Sequence, residues 1–177
     1  MHRGVVGSAT SPSVLRSGDP RSYGRPVASD PRNAASDRIF EGLATWRDPE
    51  AMAAAWEDHH SDNFVRVDRR RLVASPDADR AGHLEGQLLW FGFGDGQPVF
   101  GAEIIAVRGD RLALVRASVS YSDRQGREAL SVVTYDAQVD KATRHVHFDL
   151  DDLDAALAEL DRQHAEVEAG KEPTDPR

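Results

Sequence analysis

The chain has 177 residues, 40% hydrophobic and 29% charged, with a formal net charge of −8 and no cysteine. That is enough for one domain with a real core, in the composition range of globular proteins. The acidic balance argues against a nucleic-acid partner, which needs clustered Lys and Arg, and the lack of thiols excludes disulfides and thiolate metal sites.

No apolar run approaches the roughly 18 residues a membrane helix needs, so no membrane partner is expected. Arg3 is followed by no apolar stretch, which does not suit a secretory signal. The expected location is cytoplasmic.

Residues Met1 to about Arg32 are rich in Ser, Gly, Pro and Arg, and include Pro12, Pro20, Pro26 and Pro31. Their few apolar residues have no period. Such a segment buries too little surface to offset its ordering entropy, so 1–32 reads as a disordered tail or linker. Helical pattern starts near Asn33, where Ile39, Leu43 and Trp46 share one face. Gly42 weakens this helix by about 1 kcal/mol relative to alanine. Asp48 is placed to cap a second helix with Pro49 at its first position. That helix runs from Glu50 to His59 and presents Met52, Ala55 and Trp56.

Phe64 to Asp68 alternates as a short strand and is followed by Arg69, Arg70 and Arg71. Ser75 to Asp79 has turn composition. A third helix is predicted over Arg80 to Phe91, with Leu84, Leu88 and Phe91 on its inner face. Gly92, Gly94 and Gly96 end it; no strand precedes and no helix follows them, as a dinucleotide loop would require. Four strands are then predicted: Val99 to Arg108, Arg111 to Tyr121, Glu128 to Asp136 and Arg144 to Asp149. Gly109-Asp110 reads as a two-residue hairpin turn and Ser122 to Arg127 as a polar one. Asp149 or Asp151 is placed to cap a last helix lined by Leu153, Ala156, Leu157 and Leu160, and its acidic first turn suits the helix dipole. The end, with Pro173 and Pro176, reads as loose. There is no internal repeat.

Helix, helix, short strand, helix and four antiparallel strands is the element order of the nuclear transport factor 2-like fold. The wording is similar as well. NAASDRIFEGLATWRDPEAMAAAWEDHHSDNFVRVDRRR resembles the helical start and first strand of a SnoaL-like domain, the polyketide cyclase branch. RGDRLALVR, EALSVVTYD and HVHFDLDDLDAALAELDRQ resemble the later strands and closing helix of an actinobacterial version, often appended to regulatory ATPase or cyclase-like proteins. The resemblance covers about 33–168. It implies an α+β cone: a curved antiparallel sheet wrapped on N-terminal helices, with an extra C-terminal helix. The fold hosts cyclases, isomerases, dehydratases and inert binding modules, so it does not itself assign an activity.

His145, His147 and Asp149 alternate on a strand and so share a face. An H-x-H-x-D string can ligate zinc, but a polar sheet face with a capping Asp is the preferred explanation, and Leu150 stands where a further His would be needed. No metal and no other cofactor is expected. Asp68 can move a proton if it lies inside the cone, or pair with Arg69 or Arg70 at the rim. Tyr121 can donate to an oxyanion, as phenols do in ketosteroid isomerases of this fold, and Tyr135 likewise. Asp68, His147 and Tyr121 are thus the candidate catalytic groups.

Trp90, Phe91 and Ile105 are candidate cavity walls, with Glu103 and Arg70 as polar contacts. His59 and His60 are explained by the helix dipole alone. Three functions fit these residues. One is a small-molecule-binding domain acting as an accessory or sensory module. The second is a cofactor-free isomerase, cyclase or dehydratase, and the third a structural dimerisation domain. A homodimer is expected through the outer sheet face, because Leu112 and Leu114 alternate with Ala113 and Val115 and helices on one side leave the other uncovered.

Overall fold

The computed structural model describes residues 32–71, 75–93, 96–122 and 126–170. The tail expected before Asn33, apart from Arg32, and the expected loose end from 171 onward lie outside the described residues.

Two helices open the domain, α1 (Ala34–Thr45) and α2 (Pro49–His59). The Asn33 side chain accepts from the Ser36 amide at 2.8 Å, and the Ser36 hydroxyl accepts from the Asn33 amide at 2.9 Å. This reciprocal cap satisfies two of the backbone donors a helix start leaves open. The Asn33 amide group also donates to the Gly109 and Leu112 carbonyls, each at 2.9 Å, so the same residue fastens α1 to a sheet hairpin. Asp48 caps α2 through the Ala51 amide at 2.7 Å, with Pro49 at the first position, as the sequence predicts.

The chain enters β1 (His60–Asp68) directly from α2, four residues earlier than the alternation from Phe64 suggests. After β2 (Ala78–Asp79) comes α3 (Arg80–Leu88), continued by a 3-10 turn over Leu89–Gly92. Four long strands follow: β3 (Val99–Arg108), β4 (Leu112–Ser120), β5 (Arg127–Asp136) and β6 (Lys141–Phe148), and then α4 (Leu153–Glu168).

The sheet has six strands in the order β2-β1-β6-β5-β4-β3. It is curved, and β3 to β6 form the expected antiparallel meander. The sheet is not wholly antiparallel, however: β1 runs parallel to β6, with Asp68 beside His147. Three residues rather than two turn the β3–β4 hairpin, since Arg108 pairs with Leu112; Gly109 takes the left-handed conformation there, φ 51°. Among the described residues no helix is long and apolar enough to cross a membrane.

Alternation along the strands divides the sheet into two faces. On the outer face Leu112, Leu114, Leu130, Val132, Val146 and Phe148 pack beneath Ala156 and Leu160 of α4. On the inner face Ala113, Val115, Val133 and Ala142 meet Phe64 and Ala35. A bulge in β3 between Ile104 and Ala106 lets Ile104 and Val107 both serve the inner cluster while Ile105 and Ala106 serve the outer one.

The uncovered apolar face behind the expected homodimer is therefore absent: α4 lies over it, and Leu112 and Leu114 are fully buried. The expected cap of α4 differs too. Asp152 stands at the cap position, but its side chain makes no capping hydrogen bond and pairs with Arg71 at 3.4 Å instead. Asp149 accepts from the Arg71 amide and Asp151 from the Arg71 guanidinium, both at 2.8 Å.

Candidate functional site

The inner face encloses a cavity of about 670 Å³ between the sheet and α1, α2 and α3. Its apolar side is aromatic. Trp46 stacks edge-on against Phe100 at 5.5 Å, and Trp90 lies 5.6 Å from Phe93. The opposite wall carries His60, His83, His145 and His147.

Each histidine comes from a different local cause. β6 places His145 and His147 two residues apart on the inward face, as read from the sequence. His60 is the first residue of β1, turned inward because the backbone passes straight from helix to strand there. His83 lies on α3, whose inward stripe of His83 and Gln87 is continued by Trp90 on the 3-10 turn, at i, i+4, i+7. The predicted stripe of Leu84, Leu88 and Phe91 is one position out of phase. The sequence reading missed His60 and His83. A second polar and aromatic stripe at helical spacing was the available signal for His83. For His60 there was none, since a His at a helix end is explained without a site.

Aromatic packing fixes the rings. His60 stacks on Trp56 at 4.0 Å, and its Nδ1 bonds the Trp56 carbonyl at 3.1 Å. His83 stacks on Phe64 at 5.2 Å, and His145 meets Phe64 edge-on at 5.0 Å. Burial lowers the pKa of all four. His60 is brought to about 4 even though the Trp56 carbonyl favours its proton. His147 is also brought to about 4 by burial, with Arg70 adding to the effect. His83 and His145 are held well below the ordinary value, first by burial and then by their neighbours' charge. The cluster is thus neutral at neutral pH and presents lone pairs. Beside His147, across β5–β6, stands Ser131. Ser131 Oγ and His147 Nε2 are both buried, and neither has a partner among the described residues.

The other sequence candidates divide. Arg70, Trp90 and Tyr121 line the cavity with His147. The Tyr121 hydroxyl donates to the Trp90 carbonyl at 2.5 Å, which holds the 3-10 turn against β4. Asp68 is gripped by the Arg70 guanidinium at 2.6 and 2.9 Å and by the Ser75 amide at 3.1 Å. Burial alone would raise its pKa, but these bonds outweigh it and hold the carboxyl at about 2. Of the three successive arginines only Arg70 faces inward. Arg69 reaches Glu159 on α4 and Arg71 the Asp149–Asp151 loop.

Three candidates are not at the cavity. Glu103 points outward, 62% exposed, and pairs with Arg116 at 3.2 Å. Ile105 packs under α4, moved there by the β3 alternation. Phe91 turns towards the ring of Phe100, 5.8 Å away, and does not line the wall. Asp149 ends at the rim with Arg71, so the H-x-H-x-D string is split between cavity and surface.

No family model matches the sequence, and no curated protein matches it. Solved structures do match. A SnoaL-like family protein from Agrobacterium tumefaciens is similar at 14% identity, over 65% of this chain and 96% of its own, with a TM-score of 0.51. An NTF2-like protein from Cytophaga hutchinsonii is similar at 7% identity, over 66% and 90%, with a TM-score of 0.42. The BvnE pinacolase from Penicillium brevicompactum is similar at 15% identity, over 75% and 99%, with a TM-score of 0.41. At such identities the likeness is one of fold, and the match with a TM-score of 0.51 carries it: the chain has the α+β cone of that SnoaL-like family protein, the fold its wording implied.

Proposed function

We propose that this chain binds one small organic molecule inside the cone. A polar oxygen group of the ligand sits against Ser131, His147 and Arg70, and an apolar, ring-bearing body lies against Trp46, Trp90 and Phe100. The observation that carries this reading is two buried atoms without a hydrogen-bond partner among the described residues, Ser131 Oγ and His147 Nε2, on neighbouring strand positions of the wall of a 670 Å³ cavity. An unpaired buried polar group costs about 1–3 kcal/mol, which a ligand atom placed between the two recovers. The volume falls in the range of about 300–1,000 Å³ usual for small-molecule sites.

A binding module, accessory or sensory, fits better than a cofactor-free acid–base enzyme. A general base works best with a pKa near the working pH, whereas His147 is held at about 4. Asp68 is held at about 2 in its Arg70 clasp, and the Tyr121 proton is already given to a carbonyl.

The test uses the aromatic anion anilinonaphthalene sulfonate as probe on the folded full chain. Saturable binding of one dye per chain is expected, weakened about tenfold by Ser131→Ala with His147→Leu, the loss of roughly one polar contact. No binding, or binding indifferent to both substitutions, overturns the reading.

A further inference from the structure

His60, His83 and His145 reach the cavity wall from three separate elements, yet their ring nitrogens converge: one nitrogen of each lies within 4.8 Å of one nitrogen of each of the others. A tetrahedral zinc ion holds its ligands about 3.4 Å apart at bond lengths near 2.1 Å. Small rotations of the rings close that gap. We propose that His60, His83 and His145 bind one divalent first-row transition ion of the kind that prefers nitrogen ligands, with an open coordination position facing the cavity.

The ligand chemistry is already arranged. The Nδ1 of His60 is spoken for by the Trp56 carbonyl, which leaves Nε2 as the lone pair. This is the outer bond that commonly orients a metal-bound imidazole. His83 and His145 have no hydrogen bond to any described residue, although His83 is only 3% exposed.

Three imidazoles without a carboxylate favour zinc, cobalt, nickel, iron or copper over magnesium or calcium. Three protein ligands and one open position is the arrangement of catalytic rather than structural zinc sites. Arg70, which flanks His147, and Arg66 both line the same cavity. Their charge and the ion's favour an anionic oxygen in the open position. The fold places His60 and His83 beside His145, which supplies the further ligands that the H-x-H string lacks in sequence; His147 stands 6.2 Å away by ring centres and is left to the organic ligand.

This site does not rest on the organic-ligand reading, and its test uses metal alone. The full chain is stripped with chelator, then titrated with Co(II) and, separately, Zn(II). We expect one ion per chain with Kd below about 10 μM, the intense visible bands of four-coordinate Co(II), and Tm raised by about 5 °C at a hundredfold excess of zinc. His83→Gln and His145→Gln each weaken binding by at least ~100-fold, while His164→Gln on α4 leaves it unchanged. If a variant fails to fold, the chelator-reversible Tm shift of the unaltered chain still decides. No Co(II) bands and no Tm shift overturn the proposal. So does binding that survives in the His83 and His145 variants, which would place the ion elsewhere, for example at Asp149, Asp151 and Asp152.

Discussion

The two faces of the sheet are built from the same strands and are used in opposite ways. Along β4, Leu112 and Leu114 point outward into a filled core, while Ala113, Val115, Ala117 and Val119 point inward, the last three at a cavity wall. The outer face is closed by one 16-residue helix. Three of its buried polar groups form a connected chain: the Thr134 hydroxyl donates to Gln163, Gln163 donates to Glu159 at 2.7 Å, and Glu159 accepts from Arg162 and Arg69. The inner face leaves 670 Å³ unfilled and, among the described residues, keeps Ser131 Oγ and His147 Nε2 without a hydrogen-bond partner. Stability is concentrated where donors and acceptors are matched, and binding capacity where they are not.

That contrast can be broken most severely from outside. Leu160→Ala, beneath fully buried side chains, is expected to cost about 3 kcal/mol in urea unfolding, the usual range for a core leucine. Dye binding per folded molecule should stay the same. Loss of binding in the still-folded variant would show that the faces are coupled.

Thr134→Val comes next. It leaves Gln163 short of one donor in a buried network, and a loss of about 1–2 kcal/mol is expected. The sign should reverse on the inner face. His147→Leu removes a nitrogen that has nothing to bond, so the ligand-free protein should gain about 1 kcal/mol while the dye affinity falls. A destabilised His147→Leu would mean that the nitrogen is already satisfied.

The smallest effect is a pH dependence at the rim. The folded Asp68 carboxyl is held at about 2 against an ordinary 3.8. Between these values the unfolded chain takes up the proton and the folded chain does not, so stability rises with pH there. The contribution is complete above about 4 and is lost as pH falls through about 2. Asp68→Asn should flatten this part of the acid-unfolding curve by lowering stability above about pH 4, neutral pH included, while leaving it unchanged below about 2.

What could be read in the sequence follows the same division. The four-strand meander and α4 were legible because alternation of period two and an amphipathic run of period 3.6 are local signals. The cover that α4 provides was not, since nothing local says which side of a sheet a following helix will choose. On the inner face His145 and His147 were legible as a pair. His60 and His83 were not: one looks like a helix end and the other is masked by a leucine stripe one step out of phase. The outward turn of Glu103 needs only the strand parity, but choosing which parity faces the cone needs the helices in place. Ile105 was read as a wall because it shares the side of the strand that Glu103 occupies, and that side faces α4 and not the cone.

That bulge in β3 sets a dimension as well as a direction. Removing Ile105 would restore an unbroken alternation, with Ala106 still outward and Val107 still inward, and relax the bend that wraps the sheet round the helices. The capacity of the cone is therefore governed by the number of peptide units in one strand and not only by the side chains that line it. A lineage or a designer could resize the chamber by a single-codon deletion without altering any of the four histidines.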